Sequence, residues 1–292
     1  MRKTDMSGNL SHVKQRADRI RRAFRHNGFL MMRGVLGPDR TGSLYEECRA
    51  AYGKERTRES ALFLCSNAAQ KLPFVADLME APEVLRVVVS LLGPFIHLIS
   101  SELWVRPSGA PAEVWHRDGG PAMLHLSDAV SVKVQFFLSD LVDESSGNLV
   151  IAPGSHRWDI RKGFGGHKAL ESKARVLTVK AGDAVAWYGH TYHRVQPNQS
   201  NSDRVSIILG YALLWARPYD YDRPDESFLR LATPLQSLLV SGAQSEFTRG
   251  QYYYPHDREK RLALIEERVG PVVGSLIPMF VARTRRRSVQ VD

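Results

Sequence analysis

Between Pro94 and Trp215 the chain runs as short apolar segments broken by turn signals, with no clear helix between them. The segments Phe95–Val105, Val130–Leu138, Asn148–Ala152, Val176–Val179, Ala184–Tyr188 and Val205–Trp215 read as strands. Asp143-Glu144-Ser145-Ser146-Gly147 and Ala181-Gly182-Asp183 read as turns. Many short strands at this spacing can close only as an antiparallel sandwich or barrel. The flanks differ. Val13, Ala17, Ile20 and Phe24 recur at helical spacing, and Gly28 is a stop. Phe29–Met32 reads as a strand, Gly37-Pro38 opens a second helix, and Pro82 opens another to about Leu92. Arg258–Val269 is helical again. The expectation is one mainly β domain over 1–292. Its parts are a mostly helical flank at 1–93, a β core at 94–215, and a helical flank with a basic tail at 216–292.

Composition narrows the function classes. With 292 residues and 43% apolar side chains, the chain is long enough for an ordinary globular core. The longest apolar run, Val87–Ile96, is interrupted by Ser90 and Gly93-Pro94, too short for a membrane span. The N-terminus shows no secretory signal pattern. Cys48 and Cys65 make no disulfide framework, so a reduced, cytoplasmic protein is expected, as monomer or homodimer. The net charge of +9 suggests nucleic acid, but its distribution does not. Residues 1–60 carry 14 basic and 7 acidic groups, residues 281–292 carry 4 and 1, and the totals are 40 and 31. The stretch 61–280 therefore holds 22 basic against 23 acidic groups and offers no basic groove. The expected partner is a small molecule, not nucleic acid or a membrane.

Trp115-His116-Arg117-Asp118 carries the first chemistry. In extended chain, residues i and i+2 share a side, so His116 and Asp118 can meet one metal ion while Arg117 faces away. Alone, this triplet equally reads as a surface turn before Gly119-Gly120. A second anchor, His193, follows 77 residues after His116 and stands 11 before Arg204. Two histidines and one carboxylate form the facial triad of non-haem Fe(II) oxygenases, which leaves room for a chelating co-substrate and O₂. The co-substrate 2-oxoglutarate has a distal carboxylate, which a planar guanidinium binds bidentately. Arg204 and Ser206 share a strand face and suit that role. Lys133, Gln135 and Phe137 also share a face. If it lines the barrel, Lys133 and Gln135 can bond the co-substrate, which would supply the anion that Lys133 needs. If not, it faces solvent.

The stretch Trp115–Tyr211 resembles the phytanoyl-CoA dioxygenase family of Fe(II)/2-oxoglutarate oxygenases. The residues that carry the resemblance run in order. They are His116-x-Asp118, Gln135-Phe136-Phe137-Leu138-Ser139-Asp140, and Gly147-Asn148-Leu149 through Pro153-Gly154-Ser155-His156. Gly182-Asp183, Tyr192-His193 with Pro197-Asn198, and Arg204-x-Ser206 follow. Tyr192 stands where the family carries Trp. Asn27–Leu36 resembles the family's opening, so the likeness covers roughly residues 20–215. It implies a double-stranded β-helix, or jelly roll, with His116, Asp118 and His193 on iron and Arg204 and Ser206 on 2-oxoglutarate. It implies hydroxylation of a small to medium organic metabolite with release of succinate and CO₂, in which ascorbate can be stimulatory. Desaturation, epoxidation and cyclisation use the same ligands. Asp118 stands where related halogenases carry a small residue.

His190, three residues before His193, is the rival ligand, and on a strand it would face the other side. The resemblance makes His156 a structural turn residue; His97, His125 and His167 read as ordinary. Trp104, Met123, Trp215 and Tyr219 are candidate pocket walls or core. A non-catalytic ligand-sensing jelly roll and a nucleic-acid demethylase are the competing classes.

Overall fold

The element boundaries follow from residues that start and stop regular structure. Gly28 ends α1 (Met6–Asn27) and leads into β1 (Phe29–Met32). Pro38 opens α2 (Pro38–Glu55). After β2 (Phe63–Ser66), α3 (Ala68–Lys71) and α4 (Pro73–Ala76), Pro82 opens α5 (Pro82–Leu92). The β series is β3 (Ile96–Arg106), β4 (Ser131–Phe137), β5 (Leu149–Ile151), β6 (Arg175–Val176), β7 (Ala184–Tyr188), β8 (His193–Val195) and β9 (Arg204–Leu213). A short α6 (Gly166–Glu171) precedes β6. The chain continues with α7 (Glu226–Leu231), α8 (Pro234–Ser241) and α9 (Arg258–Val269). The computed structural model describes residues 6–55, 62–118, 130–158, 166–242 and 258–270. Met123, His125, Gly119-Gly120 and the Arg283–Arg287 tail lie outside the described residues, as does the side chain of Val13.

Two antiparallel sheets face each other, the expected jelly-roll arrangement. The larger has the order β1-β7-β4-β9-β3-β2, and the smaller β6-β5-β8. The large sheet is covered on both faces, so β4 is buried along its whole length. Val132, Val134 and Phe136 of β4, with Val205, Ile207 and Leu209 of β9, join a core that includes Phe24 of α1, Leu44 of α2 and Leu85 of α5. Phe137, Val185 and Trp187 turn the other way and meet Leu149 and Ile151 of the small sheet. Each such buried side chain contributes roughly 1.5–3 kcal/mol.

Differences from the sequence reading are local. The Val176–Val179 segment shortens to β6 plus a single bridge from Val179 to Leu141. β2, of four residues, and β8, of three, are too short to show a period. α8 was missed despite a readable start: Thr233 and Gln236 form a capping box around Pro234. Neither Cys48 nor Cys65 forms a disulfide.

The recurring polar residues outside the metal motif are fasteners. Asn148 donates to the carbonyls of Leu141 (3.2 Å) and Leu177 (3.1 Å). Asn198 donates to those of Arg106 and Ser202, both at 2.9 Å. Asp183 accepts from Arg33 Nη1 (2.6 Å), the Gly34 amide (2.8 Å) and the Lys180 amide (2.9 Å), clamping the end of β1 to the start of β7. At the neighbouring Gly182, φ is +94°, and a Cβ would lie 2.6 Å from the Leu36 carbonyl oxygen. Gly182→Ala is therefore expected to lower stability by about 1–3 kcal/mol, measured by denaturant unfolding.

Burial pushes His97, His156 and His190 each down to about 4. Their folded pKa lies below the unfolded value, so their contribution is present above about 6.5 and lost as pH falls toward 4. Asp220, raised by burial to about 6, works with the opposite sign but is a single group. The melting temperature should drop by more than about 5 °C between pH 7 and pH 4.5. A flat profile across that window would contradict the assignment.

Candidate metal and co-substrate site

His116 and His193 face each other across an antiparallel bridge. The His116 amide donates to the His193 carbonyl at 2.9 Å, and the reverse bond is 3.1 Å. Such a pair puts both side chains on the same face, and the imidazole centroids lie 4.2 Å apart. The Asp118 amide donates to the Gly189 carbonyl at 2.7 Å, which turns its carboxylate to the same point. His193 Nε2 lies 3.6 Å from one Asp118 oxygen and His116 Nε2 4.0 Å from the other. One donor atom from each of the three residues falls within 4.8 Å of the others.

The protonation pattern suits a metal. His116 Nδ1 bonds the Val114 carbonyl and His193 Nδ1 the Thr191 carbonyl, each at 3.0 Å. A carbonyl only accepts, so both Nδ1 atoms carry the proton and both Nε2 lone pairs point at Asp118. Burial lowers the His193 pKa against the pull of Asp118, which keeps the ring neutral. Burial alone would raise the Asp118 pKa. The Lys133 charge and a 3.0 Å bond from Trp187 Nε1 work against it, and the carboxyl is held below the usual carboxylate range.

The triad opens onto a cavity of about 80 Å³ between the sheets, lined also by Glu102, Trp104, Lys133, Gln135, Trp187 and Arg204. The face of β4 bearing Lys133, Gln135 and Phe137 thus points inward. Arg204 is buried, with its ring-facing side 5.5 Å from Phe137. Its Nε and Nη2 have no hydrogen-bond partner. Burial and the adjacent Arg106 lower its pKa to about 9, with Glu113 opposing, so the guanidinium stays charged at neutral pH. An unpartnered buried cation is costly and fits an anionic ligand. Gln135 Nε2 donates to Ser206 Oγ at 2.9 Å, which leaves the Ser206 hydroxyl proton free to donate elsewhere.

Lys133 has an anionic partner within the protein: its ammonium donates to Glu102 at 2.8 Å. The lysine stem crosses β9 at Gly210, its register partner, where no side chain blocks the way. Glu102 was missed because β3 carries it into the site only through this cross-strand register. The signal available was alternation: Glu102, Trp104 and Arg106 share one face of β3. Trp187, the donor to Asp118, was likewise unassigned.

The other histidines stay out of the triad. His190 is buried and stacks on Tyr188 at 5.5 Å. His156 Nε2 bonds the Arg25 carbonyl at 3.2 Å from a one-turn helix at Ser155–Arg157. Arg117 turns away as expected, bonding the Ser155 carbonyl at 2.8 Å. Trp104 lines the cavity, while Trp215 and Tyr219 are half-exposed. Among the described residues, no helix is long and apolar enough to cross a membrane.

Comparisons with known proteins agree with this arrangement. The family model described as phytanoyl-CoA dioxygenase (PhyH) matches residues 24–206. A relative from Stutzerimonas stutzeri, described as a probable alpha-ketoglutarate-dependent hypophosphite dioxygenase, is 27% identical over 198 residues. The match covers 60% of this chain and 63% of that protein, so the chain spans less than two thirds of its relative's length. The non-heme alpha ketoglutarate dependent epimerase SnoN from nogalamycin biosynthesis superposes with a TM-score of 0.58 at 19% identity, covering 69% of this chain and 82% of that one. HygX from Streptomyces hygroscopicus, with nickel and 2-oxoglutarate bound, gives 0.60 at 18%, covering 69% and 88%. EctD from S. alaskensis with bound Fe gives 0.57 at 18%, covering 72% and 81%. These structures share the jelly-roll fold with this chain.

His116→Ala, Asp118→Ala and His193→Ala should each reduce Co(II) or Fe(II) binding at least tenfold, read by equilibrium dialysis. Trp187→Phe should weaken it less, by several-fold. Undiminished binding in His193→Ala with loss in His190→Ala would reassign the ligand.

Proposed function

The chain belongs to the phytanoyl-CoA dioxygenase family, and from that premise we propose that it is an Fe(II)- and 2-oxoglutarate-dependent oxygenase that hydroxylates a small to medium-sized organic metabolite. The observation that carries the reading is the buried Arg204 guanidinium, unpartnered at Nε and Nη2, on the same cavity as the His116–Asp118–His193 triad. That geometry suits a metal at one place and a carboxylate at another, and 2-oxoglutarate has both a chelating end and a distal carboxylate.

His116 and His193 would hold iron through Nε2, and Asp118 through a carboxylate oxygen. Arg204 would take the distal carboxylate, with Ser206 donating its hydroxyl proton and Gln135 holding that hydroxyl in place. Arg106 beside Arg204 adds to the positive potential there. Bound there, iron and 2-oxoglutarate would, with O₂, supply the oxidising power: one oxygen atom would go to the substrate and the other into the succinate formed as CO₂ leaves.

The rest of the site belongs to the protein. Trp187 and the charge of Lys133 keep Asp118 ionised and oriented. The carbonyls of Val114 and Thr191 keep the histidines in the ligating tautomer. Leu149, Val195 and Ile208 line the cavity with apolar surface that excludes water.

The test needs no substrate. Fe(II) added anaerobically, followed by 2-oxoglutarate, should give a saturable visible charge-transfer band that is absent in His116→Ala. Arg204→Ala should raise the half-saturating 2-oxoglutarate concentration at least tenfold while metal binding persists. No band from folded, iron-loaded protein would favour a sensing module. An unchanged requirement in Arg204→Ala would remove that residue from the co-substrate.

A further inference from the structure

The cavity's charges can be assigned one by one. Among the described residues the ionisable groups lining it are Glu102, Glu113, His116, Asp118, Lys133, His193 and Arg204. The triad is committed to the metal and Arg204 to the co-substrate, so this step rests on the functional reading above. Glu113 is paired with Arg106. Glu102 and Lys133 are paired with each other at 2.8 Å, and the second Glu102 oxygen accepts from Trp104 Nε1 at 2.7 Å. No unspent charge remains among these residues to receive a charged substrate.

The pair still has hydrogen-bonding capacity. An ammonium carries three donors, and a carboxylate accepts at about four positions. With one Lys133 donor on Glu102 and another toward the Tyr219 hydroxyl, the pair still presents a donor and an acceptor side by side, the pattern that a hydroxyl group matches. Apolar surface adjoins them. Leu64 is the cross-strand neighbour of Trp104, and the Tyr219 ring lies 5.2 Å from the Lys133 ammonium. Leu64 and Tyr219 are both exposed.

We infer that Glu102 and Lys133 are specificity-determining residues that select an uncharged, hydroxyl-bearing molecule with an apolar body. A small oxyanion, such as the one in the hypophosphite dioxygenase description, would have to break the Glu102–Lys133 pair to find a cation. A cationic amine would have to break the same pair to find a carboxylate.

The test uses one molecular frame in three charge states: cyclohexylmethanol, cyclohexanecarboxylate and cyclohexylmethylammonium. Binding to the full chain loaded with Fe(II) and 2-oxoglutarate is measured anaerobically by calorimetry, so no turnover intervenes. The alcohol should bind at least tenfold tighter than either ion. Glu102→Gln takes from Lys133 its directly bonded carboxylate and should make the carboxylate the tightest ligand. Lys133→Met frees Glu102 and should favour the ammonium. The double variant E102Q/K133M removes both charges and should again prefer the alcohol. It also decides the matter if a single variant, left with one buried unpaired charge, does not fold. A wild-type preference for an ion, equal binding of the three or binding of none would overturn the inference. So would an unchanged order in the folded single variants, or a double variant that prefers an ion. A missing charge-transfer band in the wild type defeats the functional reading itself. A normal band with the wrong order of ligands defeats only the specificity assigned here.

Discussion

Two backbone hydrogen bonds between His116 and His193 set the geometry on which the rest of the site depends. They are ordinary ladder bonds, at 2.9 and 3.1 Å, yet they join residues far apart in sequence. Because they fix the two main chains, the imidazoles converge without help from a loop. The same bridge continues the edge of the small sheet past β8, so the metal site inherits the rigidity of the sandwich. Asp118 needs only two more residues of extended chain and one bond to Gly189 to complete the triad. A site built on paired strands is more exact than one hung on loops.

The large sheet supplies the opposite wall at an energetic cost. Arg204, Arg106, Lys133, Gln135 and Glu102 all lie in the interior or close to it, where unpaired charge is expensive. The molecule tolerates them because the alternating residues of the same strands bury Val132, Val134, Phe136, Val205 and Ile207 against the helices. Strand alternation thus divides one sheet into a stabilising face and a chemical face. Arg204, with two buried guanidinium nitrogens left without hydrogen-bond partners, is where that cost is most plainly borne.

Much of this was legible in the sequence. Pro38 and Pro82 mark the starts of α2 and α5 because proline is tolerated in the first helical turn and nowhere deeper. The strands of the large sheet showed because their apolar runs are long enough to carry a period. The His116-x-Asp118 motif, His193, Arg204 and Ser206 were visible as residue types at family-like spacing; the structure brings the first four residues around one cavity and bonds Ser206 to Gln135, which lines it. What stayed hidden depends on register. Glu102 reaches Lys133 only because β3, β9 and β4 lie side by side and Gly210 leaves a gap between them. Trp187 meets Asp118 through a similar accident of adjacency. No local pattern encodes such contacts, since each needs two strands aligned by the whole sheet. The Gly182-Asp183 and Pro153–His156 motifs were visible, but their role as fasteners emerged only with their partners.

The order of the large sheet also bears on how this chain can be divided. Its outermost strands are β1 and β2, and both come from the helical N-terminal region rather than from the β-rich middle. A fragment beginning at Pro94 would keep the metal ligands and lose both borders of the sheet. β7 and β3 would then present rows of unsatisfied amide and carbonyl groups, the template on which strands from other molecules add. The jelly roll is therefore not a module to which helices were attached. The N-terminal segment is its selvedge, and β7 and β3 stay covered only while that segment is in place.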